Sequence, residues 1–118
     1  MGATMFRRAL IAALLSGCHQ NPYAGTAGDV TADDYASLYN DWFCVNAEGC
    51  FPETYASSDD CVDGQMRQWD MFHSGYDFCV DAISASACVE LMNENSREDC
   101  SVELPDCAPD TLAFVCGT

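Results

Sequence analysis

Nine cysteines in a chain of 118 residues constrain the fold more than any other feature of the sequence. Cys18 stands apart near the start, and the other eight are Cys44, Cys50, Cys61, Cys79, Cys88, Cys100, Cys107 and Cys116. An even number of cysteines in a short exported chain predicts a disulfide framework, here of four bridges. Because a domain of this size has a marginal core, bridges that contribute roughly 2–4 kcal/mol each are expected to decide whether it folds. No C-x-x-C-type pair is present, so neither a structural zinc site nor a thioredoxin-like enzyme is predicted.

The first 17 residues have the order of a secretory signal peptide. Arg7 and Arg8 form a positive region, residues 9–15 form an apolar run, and Ser16 and Gly17 are small. The apolar run is far shorter than the roughly 20 residues that span a bilayer, so a transmembrane anchor is not predicted.

The residues that end this signal, Leu15-Ser16-Gly17-Cys18, resemble the lipobox of bacterial lipoproteins. The resemblance implies that the Cys18 thiol carries diacylglycerol, that the chain is cleaved before Cys18, and that the new amino group is acylated, for example with palmitate. Two or more acyl chains anchor a protein stably, whereas one does so only marginally. His19 stands where enteric bacteria place the aspartate that retains lipoproteins at the inner membrane, so the outer membrane of the cell envelope is expected. The alternative is an ordinary signal peptide whose Cys18 joins a disulfide.

The mature chain that cleavage would produce is strongly acidic. Without residues 1–17, it retains two cations, Arg67 and Arg97, against 19 acidic residues, which gives a formal charge of −17. Nucleic acid and anionic lipid headgroups are poor partners for such a surface, since lysine and arginine are needed to bind phosphates. A cationic envelope partner or bound metal cations would suit this surface. The alternative is that the acidic residues serve only to keep the surface solvated.

The mature chain divides into a tether and one domain. Residues 18–30 have no hydrophobic period, which predicts a lipidated cysteine followed by a flexible tether, and residues 31–118 form the cysteine-rich domain. This domain is predicted to be mainly α, with about three helices, a short C-terminal helix near 110–115 and four disulfides. Capping residues precede the three longer helices, namely Thr31 with Asp34, the segment 57–60, and Asp81.

Helical spacing predicts which side chains are buried. On the first helix the apolar stripe comprises Tyr35, Leu38, Tyr39, Trp42 and Phe43. On the third helix the shared face comprises Ile83, Ala87, Cys88 and Leu91. Between the second and third helices, an aromatic connector is expected to fold onto the core through Phe72, Tyr76 and Phe78.

Two expectations concern the bridge partners. Gly49 suits the left-handed position after a helix, which would reverse the chain and bring Cys50 near Cys44. Cys79 and Cys88 lie at the start of one predicted helix, roughly 13 Å apart along its axis, so they are expected to have different partners.

The order of these features resembles a set of small cysteine-rich bacterial lipoproteins of delta-proteobacterial or myxobacterial type. The resemblance is carried by the lipobox, the tether, the aromatic helix that runs into W-F-C-x5-C, and the patterns S-x-D-D-C and C-V-D-A-x-x-A-x-x-C. It implies export, helices and disulfides, and it implies no catalytic activity.

A catalytic constellation is not evident. His73 has Ser74 beside it, but neighbours in sequence do not make a catalytic triad, and the G-x-S-x-G motif is absent. The predicted bridges would also consume every cysteine of the domain. The chain is therefore not expected to be an enzyme, with a small secreted-type hydrolase as an alternative.

A calcium loop over residues 59–70 is a second alternative. A twelve-residue calcium loop has oxygen ligands at positions 1, 3, 5 and 12 and glycine at 6. Asp59, Asp63 and Asp70 fit positions 1, 5 and 12, but Cys61 at position 3 offers no oxygen. A helix N-terminus capped by serine explains the same residues, so no metal or other cofactor is expected. The expected function is thus a membrane-anchored, non-catalytic binding or structural module.

The lipid anchor is tested by the substitution Cys18→Ser. Without the thiol, the precursor should remain uncleaved and should carry no acyl mass, which immunoblotting and mass spectrometry of the envelope fraction would show. Recovery of the variant as a normally cleaved, soluble protein would show that Cys18 is not the anchor.

Overall fold

The computed structural model describes residues 21–117. The predicted signal peptide, Cys18 and the start of the predicted tether lie outside these residues. Within them, no helix has both the length and the apolar character that crossing a membrane requires.

Helices form most of the regular structure, which confirms a small, mainly α, disulfide-rich domain. The helices are α1 (Ala32–Phe43), α2 (Ala47–Cys50), α3 (Ser58–Phe72), α4 (Ala82–Glu94) and α5 (Pro109–Leu112), with a 3-10 turn at Pro105–Cys107. The short C-terminal helix lies near its predicted position. The turn α2 was not predicted, and α3 extends into the predicted aromatic connector.

Side-chain caps fix where the three longer helices begin. Thr31 Oγ1 accepts from the Asp34 amide, Ser57 Oγ from the Asp60 amide, and Asp81 Oδ2 from the Ser84 amide. Each cap satisfies an amide that has no partner within the helix. These starts agree with the capping residues that the sequence predicts, with Ser57 as the cap within the segment 57–60.

A three-stranded antiparallel sheet joins the N-terminal, central and C-terminal parts of the domain. Its strands are β1 (Asp29–Thr31), β2 (Phe78–Asp81) and β3 (Phe114–Val115), in the spatial order β1-β2-β3. Val30 pairs with Val80, and Cys79 pairs with Phe114. Since β1 runs into α1 and β2 runs into α4, the sheet fixes where both helices start.

The structure differs from the predicted flexible tether over residues 21–30. Tyr23 is buried, Asn21 Nδ2 binds Ser86 and Glu90 on α4, and β1 pairs with β2. A small polar segment thus packs on the domain because one aromatic ring and a strand pairing hold it.

Two predictions about buried side chains, one for α4 and one for the aromatic connector, are wrong in part. On α4, Ala82, Ala85, Val89 and Met92 face the core together with Cys88, whereas Ile83, Ala87 and Leu91 are exposed. Alanines and apolar residues surround this helix, so spacing alone does not select the buried side. Phe72 and Tyr76 are also exposed, while Phe78 packs against the core as predicted.

All eight described cysteines are bridged. The pairs are Cys44–Cys61, Cys50–Cys100, Cys79–Cys116 and Cys88–Cys107. Separate partners for Cys79 and Cys88 are thereby confirmed.

The predicted left-handed conformation of Gly49 is wrong, and Cys50 does not pair with Cys44. Asn46, with φ of 61°, takes the left-handed conformation, while Gly49 lies inside α2. Cys44 is bonded to Cys61 in the first turn of α3, and Cys50 is bonded to Cys100 in the segment after α4.

A tyrosine buried in the core is expected to make the stability of the domain depend on pH. Tyr35 is fully buried, and its hydroxyl donates to the Cys107 carbonyl at 2.6 Å. Burial raises the pKa of Tyr35 above its ordinary value, and the neighbouring Tyr39 and Tyr23 raise it further.

A group whose pKa is raised by folding stabilises the protein below its unfolded pKa, and that stability is lost as pH rises beyond about 10. Tyr35→Phe should therefore reduce the free energy of unfolding by about 0.5–1.5 kcal/mol at pH 7, since the Cys107 carbonyl loses its donor. The variant should also lose less stability than the wild type above pH 10. Urea unfolding at both pH values would measure this, and an unchanged alkaline loss in the variant would contradict it.

Candidate ligand-binding cavity

A cavity of about 260 Å³ lies between α1, α3 and the C-terminal segment. Its lining combines aromatic, amide and charged side chains from these three elements. The lining residues are Tyr39, Asn40, Phe43, Gln65, Gln68, Trp69, Phe72, His73, Ala108, Pro109 and Asp110.

The aromatic wall follows from the apolar stripes of the two helices. Tyr39 and Phe43 are one turn apart on α1, with stacked rings whose centroids are 6.2 Å apart. On α3, Trp69 is buried, and Phe72 is exposed at the rim. Trp69 Nε1 donates to Asp33 Oδ1 at 2.7 Å, which fixes its indole between α1 and α3.

Two amides in the wall each donate to a protein acceptor. Asn40, which is 5% exposed, donates through Nδ2 to the Ala36 carbonyl at 2.9 Å. Gln65 donates through Nε2 to the Tyr55 hydroxyl at 2.9 Å. Among the described residues, the buried side-chain nitrogen or oxygen that lacks a hydrogen-bond partner is Arg97 Nε.

His73 joins α3 to the C-terminal segment. Its ring stacks on Trp69 with centroids 3.5 Å apart and meets Phe78 edge-on. Nδ1 lies 2.9 Å from the Trp69 carbonyl, and Nε2 lies 3.3 Å from Asp110 Oδ1. The two ring nitrogens thus link the end of α3 to the segment that contains Asp110.

This arrangement differs from that of a catalytic base. A histidine base needs one ring nitrogen directed at a nucleophile, whereas both nitrogens of His73 contact protein acceptors. The sequence placed His73 in the aromatic connector, but the structure places it at the end of α3. Its partner Asp110 follows 37 residues later, so no local pattern indicated the pair.

A second cavity, of about 300 Å³, is lined in part by Arg97 and shares Tyr39 and Phe43 of α1 with the first cavity. Arg97 is 3% exposed and donates through Nη1 to the carbonyls of Cys100 and Val102. Its guanidinium lies over three rings, those of Trp42, Phe43 and Phe51. Arg97 thereby holds the loop after α4 against α1, which is a structural role.

The residues predicted for a calcium loop form part of a continuous helix. Asp59, Asp63 and Asp70 are exposed on α3, where about 1.5 Å of rise per residue separates them by about 6 and about 10 Å. Cys61, at the third loop position, is bonded to Cys44. The helix cannot bring these three carboxylates to one ion, and residues 21–117 contain no group of three or more His, Cys, Asp or Glu side chains placed for a metal.

Comparison of the chain with models of known protein families, with curated proteins and with solved structures finds no match. The site is therefore interpreted from its own geometry.

The helical placement of Asp59, Asp63 and Asp70 gives a prediction about ions. Screening of the acidic surface should raise the melting temperature with salt, and sodium and calcium should act alike at matched ionic strength. Melting curves of the wild type and of Asp63→Asn would measure this. An additional calcium effect that saturates and that Asp63→Asn reduces would reveal a specific site.

Proposed function

We propose that this chain is a bacterial envelope lipoprotein, anchored through lipid on Cys18, whose disulfide-bonded domain binds a cationic partner without catalysis. Its resemblance to small cysteine-rich lipoproteins supports the anchor, and the favoured location is the outer membrane.

The observation that carries the proposal is the distribution of charge. All 19 acidic side chains of the chain lie within the described residues, and all of them are exposed. Of the two arginines in this region, Arg97 is buried, which leaves Arg67 as the exposed one. A surface of one sign accelerates the approach of an oppositely charged partner and repels competitors of its own sign.

The N-terminal contacts support a close and oriented attachment. Asn21 Nδ2 lies 3.1 Å from Ser86 Oγ and 2.7 Å from Glu90 Oε2, both on α4. Cys18 precedes Asn21 by three residues, which reach at most about 11 Å when fully extended. A lipid on Cys18 would therefore hold the α4 side of the domain near the membrane.

The non-catalytic part of the proposal rests on the state of the reactive groups. The eight described cysteines are all in disulfides, so none of them offers a thiolate nucleophile. Both nitrogens of His73 contact protein acceptors. The neighbouring Ser74 is exposed, and no hydrogen bond joins it to His73 among the described contacts.

Crosslinking in intact cells with the acylated protein would test the proposal. The expected result is capture of a basic envelope partner, with an association constant that falls as sodium chloride is raised when the two purified proteins are mixed. A variant with three exposed acids replaced by their amides, Glu48→Gln, Glu53→Gln and Glu98→Gln, should keep the fold and bind the partner more weakly. Capture of only acidic or neutral proteins, or an affinity independent of salt and of these charges, would contradict the proposal.

A further inference from the structure

We infer that the cavity of about 300 Å³ lined by Arg97 binds a carboxylate that carries a small apolar or aromatic group. Such a carboxylate belongs either to a free organic acid or to the C-terminus of a polypeptide. The inference concerns a second ligand and does not depend on the proposed cationic partner.

The hydrogen bonds of Arg97 select an acceptor. Its Nε is the buried side-chain nitrogen without a hydrogen-bond partner among the described residues. The described hydrogen bonds of Arg97 leave from Nη1, to the carbonyls of Cys100 and Val102. Nε and Nη2 form another edge of the planar guanidinium, and such an edge can donate to both oxygens of a carboxylate. A buried donor without an acceptor is costly, so a ligand that accepts from Nε binds favourably.

The charge of Arg97 favours a carboxylate over an uncharged acceptor. Arg97 is 3% exposed and stays protonated, and a buried charge is costly unless it is paired. Among residues 21–117, the described ion pair joins His73 to Asp110 and does not include Arg97. A carboxylate would supply both an acceptor and the opposite charge, whereas an amide or an ester would supply the acceptor alone.

The other side chains of the cavity define the rest of the ligand. The guanidinium carbon lies 5.9, 4.9 and 5.5 Å from the ring centroids of Trp42, Phe43 and Phe51, and all three rings line the cavity. Leu104 and Pro105 add apolar surface to the wall. A volume of about 300 Å³ is at the lower end of the range for ligand pockets, so the apolar group is a single ring or a short alkyl chain.

The acidity of the domain is compatible with a carboxylate in this cavity. Glu103 is the carboxylate that lines it, and its side chain is exposed. Tyr39, another lining residue, responds to both charges: burial raises the pKa of its hydroxyl, Arg97 lowers that pKa, and Glu103 raises it by less than Arg97 lowers it. The field of Arg97 therefore exceeds that of Glu103 at this wall. Exposed acids more than about 8 Å away are largely screened at physiological ionic strength.

The probe is phenylpropionate, titrated into the full protein in neutral detergent at neutral pH and constant ionic strength. Phenylpropionamide keeps the ring and an acceptor but lacks the charge, and acetate keeps the charge but lacks the ring. We expect phenylpropionate to bind about tenfold more tightly than either comparison, since hydrogen bonds between charged groups are the stronger ones. Trp42 lines this cavity and Trp69 lines the other, so the NMR signal of the Trp42 indole should shift while that of Trp69 stays unchanged.

Matched variants separate the cavity from the general acidity of the surface. Glu103→Gln and Glu94→Gln remove the same charge from exposed positions, but Glu103 lines the cavity and Glu94 does not. Glu103→Gln should therefore tighten binding of phenylpropionate severalfold and leave that of the amide unchanged, while Glu94→Gln should have little effect on either. Arg97→Lys keeps the charge but removes the Nε edge, and it should weaken binding of phenylpropionate about tenfold. If Arg97→Lys does not fold, the two glutamate variants still decide the question.

Three outcomes would overturn the inference. They are equal binding of phenylpropionate and its amide, equal effects of Glu103→Gln and Glu94→Gln, and a response of the Trp69 indole in place of that of Trp42. N-Acetylphenylalanine, titrated in parallel, adds the backbone amide of a chain terminus to the same ring and carboxylate. It assigns the site to a polypeptide C-terminus if it binds more tightly than phenylpropionate, and to a free organic acid if it binds less tightly.

Discussion

The four disulfides connect segments that a small core would not hold together alone. Cys44–Cys61 joins the end of α1 to the start of α3, and Cys88–Cys107 joins α4 to the turn that precedes α5. The second of these bridges fixes Cys107, whose carbonyl accepts from buried Tyr35, and it therefore positions Asp110 three residues later. Because Asp110 completes both the His73 contact and the mouth of the cavity, the candidate site depends on the bridges.

The bridges also explain how so acidic a chain remains compact. Exposed carboxylates repel one another and destabilise the folded state. A disulfide opposes this effect because it limits the conformations of the unfolded chain, and its stabilisation increases with the length of the closed loop. The Cys50–Cys100 bridge closes the longest loop, with a sequence separation of 50 residues, and it lies next to the buried Arg97. Charge and covalent framework are thus linked, because the bridges offset the repulsion within the acidic surface.

The sequence predicted the local features of this structure and missed those that depend on distant residues. The caps at Thr31 and Asp81 were predictable because each involves an amide three residues away. The sheet was not, since its strands contain two to four residues and pair across about half of the chain. For the cavity, the stripe of α1 predicted Tyr39 and Phe43 as core residues, but nothing local indicated that Asp110 meets His73. The pairing of Cys44 depended on the backbone conformation of Asn46, which composition does not reveal.

The central claim is that one disulfide pattern assembles both the core and the cavity, and a peptide map of the unreduced protein tests it most directly. Proteolysis without reduction, followed by mass spectrometry, should recover linked peptides for Cys44–Cys61, Cys50–Cys100, Cys79–Cys116 and Cys88–Cys107. A link between Cys44 and Cys50, a link between Cys79 and Cys88, or a free thiol at Cys107 would contradict the account. The last two would also release the segment that places Asp110 beside His73, since both remove the Cys88–Cys107 bridge.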